Sequence, residues 1–196
     1  MSKINNLYFP IKDEEIKKLK IGDLVSITGI VVTARDQAHL RMKSILGNDN
    51  ELPIDLEGGV IFHAGPVVEK SQDDYKLRVV GPTTSIRMEP YADMVGKLGV
   101  KAIIGKGGMG DQTLEACRKY GYVYLQAAPG CAVKLADGIK NIKEVIWEDL
   151  AMPEAMWVFE AKEFGPFVVA MDTNGNSLYK NLEIDARNVI DNLYER

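Results

Sequence analysis

Cysteine is nearly missing from this chain: 196 residues contain only Cys117 and Cys131. The two form no CxxC pair and are too few for a disulfide framework, so a reducing, cytoplasmic setting is expected. Histidine is as scarce. His39 and His63 are the whole supply, and neither stands with a second imidazole and a carboxylate at a metal-ligand spacing. A metal site built by this chain alone is therefore not expected. Long apolar runs are absent too, none approaching the ~18 residues of a membrane span, and the opening MSKINNLYFP lacks the apolar core of a signal peptide. There is no basic surplus. Lys and Arg total 24 against 28 Asp and Glu, a formal charge of −4, which argues against nucleic acid or a membrane surface as partner. The phosphate-cradling pattern GxxxxGK followed by Ser or Thr is missing. The literal match Gly105-x-Gly107-x-x-Gly110 is followed by a strand ending Leu125-Gln126-Ala127-Ala128, with no acid for a ribose hydroxyl. Nucleotide binding is rejected on that ground.

What is present is an ordinary globular composition, 46% apolar and 27% charged, enough to bury a sizeable core as one domain over residues 1–196. Pro10 to Ile21 has loose helical spacing. Asp23 to Thr33 is β-branched and reads as a strand, with Gly29 as a candidate kink. ARDQAHLRMKSIL then sets Ala38, Leu40, Met42 and Ile45 on a helical pattern. Gly58–Val68 and Tyr75–Val80 read as two strands around a polar turn, Lys70 to Asp74. Next comes strand Lys76–Val80, GPTTS, helix Ile86–Leu98, strand Val100–Ile104, GKGGMG, helix Asp111–Tyr120 and strand Tyr122–Gln126. That alternation predicts a parallel βαβαβ section whose loops share one edge. Lys143–Trp147, Met156–Glu160 and Phe167–Met171 read as further strands. Asn174-Gly175 marks a tight hairpin or a loop, and Leu182–Leu193 is an amphipathic helix. The expected fold is mixed α/β.

Three turns carry candidate chemistry. GPTTSIRM (Gly81 to Met88) places Thr83, Thr84, Ser85 and Arg87 at a strand-to-helix junction. The hydroxyls serve there either as helix caps or as donors to an anion. Arg87 is either a solvated surface residue or a two-pronged grip on a carboxylate. GKGGMG adds Lys106 and glycines that let backbone approach a ligand. ARDQAHLR puts Arg35 and Asp36 where the first strand turns into a helix, with His39 and Arg41 following. His39 and His63 read as packing or solvated residues, and Cys117 as a small buried apolar residue. Together the turns describe a site for a small anion.

GPTTSIRM, GKGGM and ARDxAHxR resemble, over most of the chain, the β subunit of class I iron–sulfur fumarate hydratases and the related L(+)-tartrate dehydratases. In single-chain relatives this segment is the C-terminal domain. The resemblance implies a swivelling β/β/α-type fold. It implies a hydro-lyase that interconverts fumarate and (S)-malate using a 4Fe–4S cluster held by three cysteines of an α partner, not by this chain. A heterotetramer of the two subunits is implied as well. It further implies Thr83 as the base, with Arg35, Thr84, Arg87 and Lys106 binding the substrate's carboxylates. The cysteine count fits that division of labour, since one chain with two cysteines cannot supply three thiolates. The alternatives are tartrate as substrate, a non-catalytic dicarboxylate-binding module, or a structural subunit whose glycine-rich turns only start helices. Met109 and Trp157 are the loose candidates for an apolar surface facing the partner.

Overall fold

The computed structural model describes residues 3–71 and 74–194. In chain order the elements are β1 (Ile4–Tyr8), α1 (Asp13–Ile16), β2 (Leu24–Thr33), α2 (Asp36–Gly47), β3 (Val60–Phe62), β4 (Ala64–Ser71) and β5 (Asp74–Pro82). A seven-residue 3₁₀ helix, Ser85–Tyr91, leads into α3 (Ala92–Lys97). Then follow β6 (Ala102–Gly105), α4 (Asp111–Tyr120), β7 (Val123–Gln126), α5 (Ala132–Ala136), β8 (Ile139–Ile146), β9 (Met156–Met171) and α6 (Leu178–Tyr194).

Strands β2, β3, β6 and β7 lie side by side and parallel, and β9 pairs antiparallel with both β7 and β2. The five strands thus close into a barrel, with β1 and β8 added outside β2 and β9. Alternation along the short strands explains why they are apolar throughout. Val60 and Phe62, Ala102 and Ile104, and Val123 and Leu125 fill one core with Phe159 and Phe164. Ile61, Ile103, Tyr122 and Tyr124 point the other way, into a second core shared with Met42, Val95, Leu114 and Cys117 of the helices. Parallel strands buried on both faces read as continuous apolar runs.

Several expectations change. The strand expected at Lys76–Val80 is not part of the parallel section. It belongs to β5, which pairs antiparallel with β4 as a two-stranded ribbon outside the barrel. Its sequence carries the reason: exposed Lys76 and Arg78 alternate with half-buried Leu77 and Val79, a one-sided pattern unsuited to a central parallel strand. The preceding parallel neighbour of β6 is β3, so the run is β3, β6, α4, β7. Gly58–Val68 divides at His63, where the chain leaves the barrel for the ribbon. Met156–Glu160 and Phe167–Met171 are ends of one 16-residue strand. The Pro10–Ile21 helix shrinks to the single turn α1, and β1 was not anticipated. On α2, Ala38 and Met42 are buried but Leu40 is exposed. Gln72 and Asp73 of the expected turn lie outside the described residues. Met109 and Trp157 are buried core, and the Trp157 indole N–H donates to the Met152 carbonyl at 2.9 Å. Neither faces a partner surface in this chain.

Gly29 does kink β2. Its φ is +122°, and the pairing with β9 shifts register on its N-terminal side. A Cβ at this position would come 2.5 Å from Phe9 Cβ. Gly29→Ala therefore combines a forbidden backbone angle with a clash. It should lower stability by about 2–4 kcal/mol, measured as a fall in the urea unfolding midpoint.

Candidate active site

The C-terminal ends of β2, β3, β6 and β7 share one rim of the barrel, and all three sequence-derived turns emerge there. Ala34 and Arg35 follow β2, His63 follows β3, and Lys106 follows β6. The GPTTS turn arrives by way of the ribbon and is stitched to this rim. The Lys106 N–H donates to the Thr83 carbonyl at 3.3 Å, and the Ser85 N–H donates to the Lys106 carbonyl at 2.9 Å. These bonds form a parallel bridge between Thr84 and Lys106. Two turns expected to be neighbours are so, through a different route from the one the alternation suggested.

The hydroxyls of this turn are not spent on capping. Thr84 occupies the N-cap of the 3₁₀ helix but makes no side-chain cap bond. The Thr83 hydroxyl oxygen instead accepts a hydrogen bond from Arg87 Nη2 at 3.0 Å. Arg87 is at the same time anchored, its Nε and Nη2 donating to the two carboxylate oxygens of Asp36 at 2.8 and 2.9 Å. Its two-pronged edge is thus already engaged, and Nη1 is the nitrogen left for a ligand among the described residues. Arg35 pairs with Glu154 at 3.1 Å, and its Nε is buried without a partner. Such an unsatisfied buried donor costs about 1–3 kcal/mol. Lys106, half-buried, has no ion pair among the described residues. Three cations therefore face two carboxylates, a weaker positive field than three unpaired cations would give.

The helix N-terminus after GKGGMG is not free for an anion. Glu89 fills it, accepting from the Gly110 and Thr113 N–H groups at 2.8 and 3.0 Å and from the Thr113 hydroxyl at 2.6 Å. Gly110 has no Cβ because one would lie 2.7 Å from that carboxylate. On the far side, Gly108 gives room for the Tyr179 ring, whose hydroxyl donates to Gln126 Oε1 at 2.6 Å. The first turn of α6 is thereby fixed against this rim.

His39 and His63 were not expected to meet. Their rings lie 5.3 Å apart, edge to face at 73°, directly beneath the turns. His39 Nδ1–H donates to the Arg35 carbonyl at 2.9 Å, and His63 Nδ1 and the Ser85 hydroxyl form a 3.0 Å hydrogen bond. Burial pushes His39 down to about 4 and His63 well below the usual imidazole value, the latter lowered further by His39. Both are neutral at physiological pH. Arg41, by contrast, turns away to Asp149, at 2.7 and 2.6 Å.

The fold and rim define a mixed α/β barrel with hydroxyls and cations gathered at one end, and comparison with known proteins shows the family. A family model described as Fumarase C-terminus matches residues 2–182. The L(+)-tartrate dehydratase subunit beta of Escherichia coli (strain K12) is 44% identical over 170 residues, 86% of this chain and 83% of that protein. The "Putative L(+)-tartrate dehydratase subunit beta" of Methanocaldococcus jannaschii is 44% identical over 171 residues, 86% and 88% of the two chains. The "Putative fumarate hydratase class I" of Geobacillus stearothermophilus is 43% identical over 183 residues, 92% of this chain but 34% of that longer protein. The chain belongs to the Fumarase C-terminus family, in the form of the β subunits of the class I fumarate hydratase and L(+)-tartrate dehydratase group.

The Asp36 carboxyl is held below its usual 3.8, chiefly by the hydrogen bonds from Arg87. A lowered folded-state pKa stabilises the protein above the unfolded value, and that contribution is lost as pH falls through the folded one. Because Arg87 is 41% exposed, solvent screening limits the contribution to about 0.5–1 kcal/mol. The wild type should therefore exceed Asp36→Asn in stability by that amount at about pH 7, with the difference shrinking as pH falls below the ordinary carboxylate value of 3.8. Urea midpoints across that range check it.

Proposed function

We propose that this chain is the β subunit of a two-subunit hydro-lyase that reversibly hydrates fumarate to (S)-malate. The observation that carries the reading is the convergence of Arg35, Thr83, Thr84, Arg87 and Lys106 on one rim, with the Thr83 hydroxyl engaged by Arg87 and not by a helix end. A second reading, L(+)-tartrate dehydratase, is favoured by one fact: separate-subunit relatives of matching length carry that name. The rim residues suit either four-carbon dicarboxylate. The assembly we infer is a cytoplasmic heterotetramer with a cysteine-bearing α subunit, in line with the subunit beta names of these relatives. The chain itself is read as one domain of the swivelling β/β/α type over residues 1–196.

The 4Fe–4S cluster implied by this activity does not fit the residues of this chain. Cys117 is sealed in the helix-side core, its thiol pushed up by burial. Cys131 packs against the other core, its thiol donating to the Ala128 carbonyl. Among the described residues no group of three or more His, Cys, Asp or Glu could hold a metal ion. The cluster is assigned to the α subunit.

The work of this chain is to hold carboxylates and move one proton. Arg35, Arg87 through Nη1, Lys106 and the Thr84 hydroxyl bind the carboxylates, which raises the acidity of the carbon between them. In the dehydration direction the Thr83 oxygen, as alkoxide, takes the proton from the carbon next to the one bearing the hydroxyl. The C–H electron pair becomes the double bond as the C–O bond breaks, and the departing hydroxide recovers the proton from Thr83, directly or through solvent, which gives water and restores the alkoxide. The Arg87 N–H at 3.0 Å stabilises the alkoxide, since hydrogen bonds to the charged form favour it.

Anaerobic co-expression with a cysteine-bearing partner, iron reconstitution, and assays on malate, fumarate and both tartrate enantiomers test the assignment. Activity of the isolated chain would overturn it. Arg87→Ala should raise KM and lower kcat/KM about ten- to a hundredfold, the weight of a charged hydrogen-bonded contact. Thr83→Val should leave KM nearly unchanged and lower kcat by about 10²–10⁴, while Thr83→Ser keeps part of the activity. Near-normal kcat in Thr83→Val, with circular dichroism confirming the fold, would remove Thr83 as the base.

A further inference from the structure

His63 stands where three segments of the rim meet. Its backbone N–H donates to the Ile104 carbonyl of β6 at 2.8 Å, and its carbonyl accepts the Thr83 N–H at 2.7 Å. Its ring bonds the Ser85 hydroxyl at 3.0 Å. Ser85 in turn lies directly over Gly105, where an added Cβ would come 1.8 Å from the Ser85 oxygen and 3.3 Å from His63 Nδ1. Because the Ser85 N–H holds the Lys106 carbonyl, the place of one hydroxyl sets the separation of Thr83 from Lys106. Behind His63, the His39 ring contact leads to the Arg35 carbonyl. Three of the five rim residues, Arg35, Thr83 and Lys106, thus take their register from the buried pair of histidines.

Packing alone does not account for this pair. Each Nε2 is buried with no hydrogen-bond partner, a penalty an aliphatic or aromatic residue of similar volume would avoid. Groups that break a packing rule in this way belong where function requires them.

We propose that His63, backed by His39, is a positioning residue for the reaction. Through Ser85 it fixes the distance between the Thr83 oxygen and Lys106, and through His39 it is tied to the backbone of Arg35. The inference rests on the hydro-lyase reading above. The polar groups packed around the pair and Ser85 among the described residues include Arg35, Asp36, Arg87, Tyr91 and the Tyr124 hydroxyl, and the His63 ring is the one within a 3.0 Å bond of the Ser85 hydroxyl.

The test is a double-mutant cycle in the reconstituted two-subunit enzyme. His63→Leu and Ser85→Ala should each lower kcat about ten- to a hundredfold, with KM changed less than about threefold and with some loss of thermal stability, since each leaves the other buried group unpaired. The double variant should be no slower than the slower single one. His63→Asn, whose amide can meet Ser85 from the Nδ1 position, should recover most of the activity. An unchanged kcat in Ser85→Ala, or additive losses in the double variant, would overturn the proposal. So would a crystal structure of the Ser85→Ala complex with Thr83 and Lys106 at their wild-type separation, whatever the activity. A cluster-loaded wild-type complex inactive on every dicarboxylate overturns the hydro-lyase reading instead. The loop positions in the variant structure then still decide the role of His63.

Discussion

Strand β9 runs antiparallel along β2 while its far end pairs with β7, and this double pairing turns a sheet of four parallel strands into a ring. Closure has two consequences. It removes the free edges along which parallel strands could slip, and it buries both faces of β3, β6 and β7 between two cores. The ends of these strands then have fixed spacing and direction. A site assembled from the residues just past them inherits that rigidity, so loop residues are held with the precision of strand residues. The bend at Gly29 belongs to the same device. A strand that must pair along its length with a 16-residue partner and also enter a small ring has to bend, and the glycine supplies the backbone angle.

The electrostatics of the rim follow from how many of its charges are already paired. Arg35 and Arg87 would repel each other and Lys106 if all three were bare. Glu154 and Asp36 neutralise the first two and hold their guanidinium planes in place. Pairing costs some positive potential but supplies orientation, and orientation is the larger benefit when a flat carboxylate must be met at fixed angles. The occupied start of α4 points the same way. With the Glu89 carboxylate on the helix N–H groups, the dipole is satisfied internally. Any external anion is directed to side chains instead.

Much of this was legible in the sequence because turn chemistry is local. The glycines of GKGGMG, the hydroxyls of GPTTS and the strand-to-helix change at ARD each announce a turn from neighbouring residues, and α4 falls on its expected bounds. That the turns after β2 and β6 share a rim follows from parallel strands having one common end, whereas GPTTS reaches it from the antiparallel ribbon, a route the alternation did not suggest. What was not legible depends on partners distant in the chain. Asp36 meets Arg87 across 51 positions and Glu89 meets Thr113 across 24, and no spacing rule links such pairs. The two histidines were read as packing residues because each was judged alone, while their significance lies in their contact. The ribbon was misplaced for a different reason. Its alternation of Lys76 and Arg78 with Leu77 and Val79 was present in the sequence, but the helix–strand rhythm around it was given more weight.

The rim remains open on one side, and that openness bears on the chemistry proposed for it. Arg87 is 41% exposed and Asp36 34%, so water screens the field that would have to hold a threonine alkoxide. In bulk solvent a pair of charges about 4 Å apart interacts by only ~1 kcal/mol, and by about 4 kcal/mol at the effective dielectric of a protein surface. Raising the field therefore requires covering the rim, not adding charge to it, because further cations would need further carboxylates to keep the empty site stable. A second subunit closing over Thr83 and Lys106 would exclude water and strengthen every contact already in place. Under that proposal the chain would contribute the positioning groups, and a covering subunit would contribute the low-dielectric surroundings in which they become reactive.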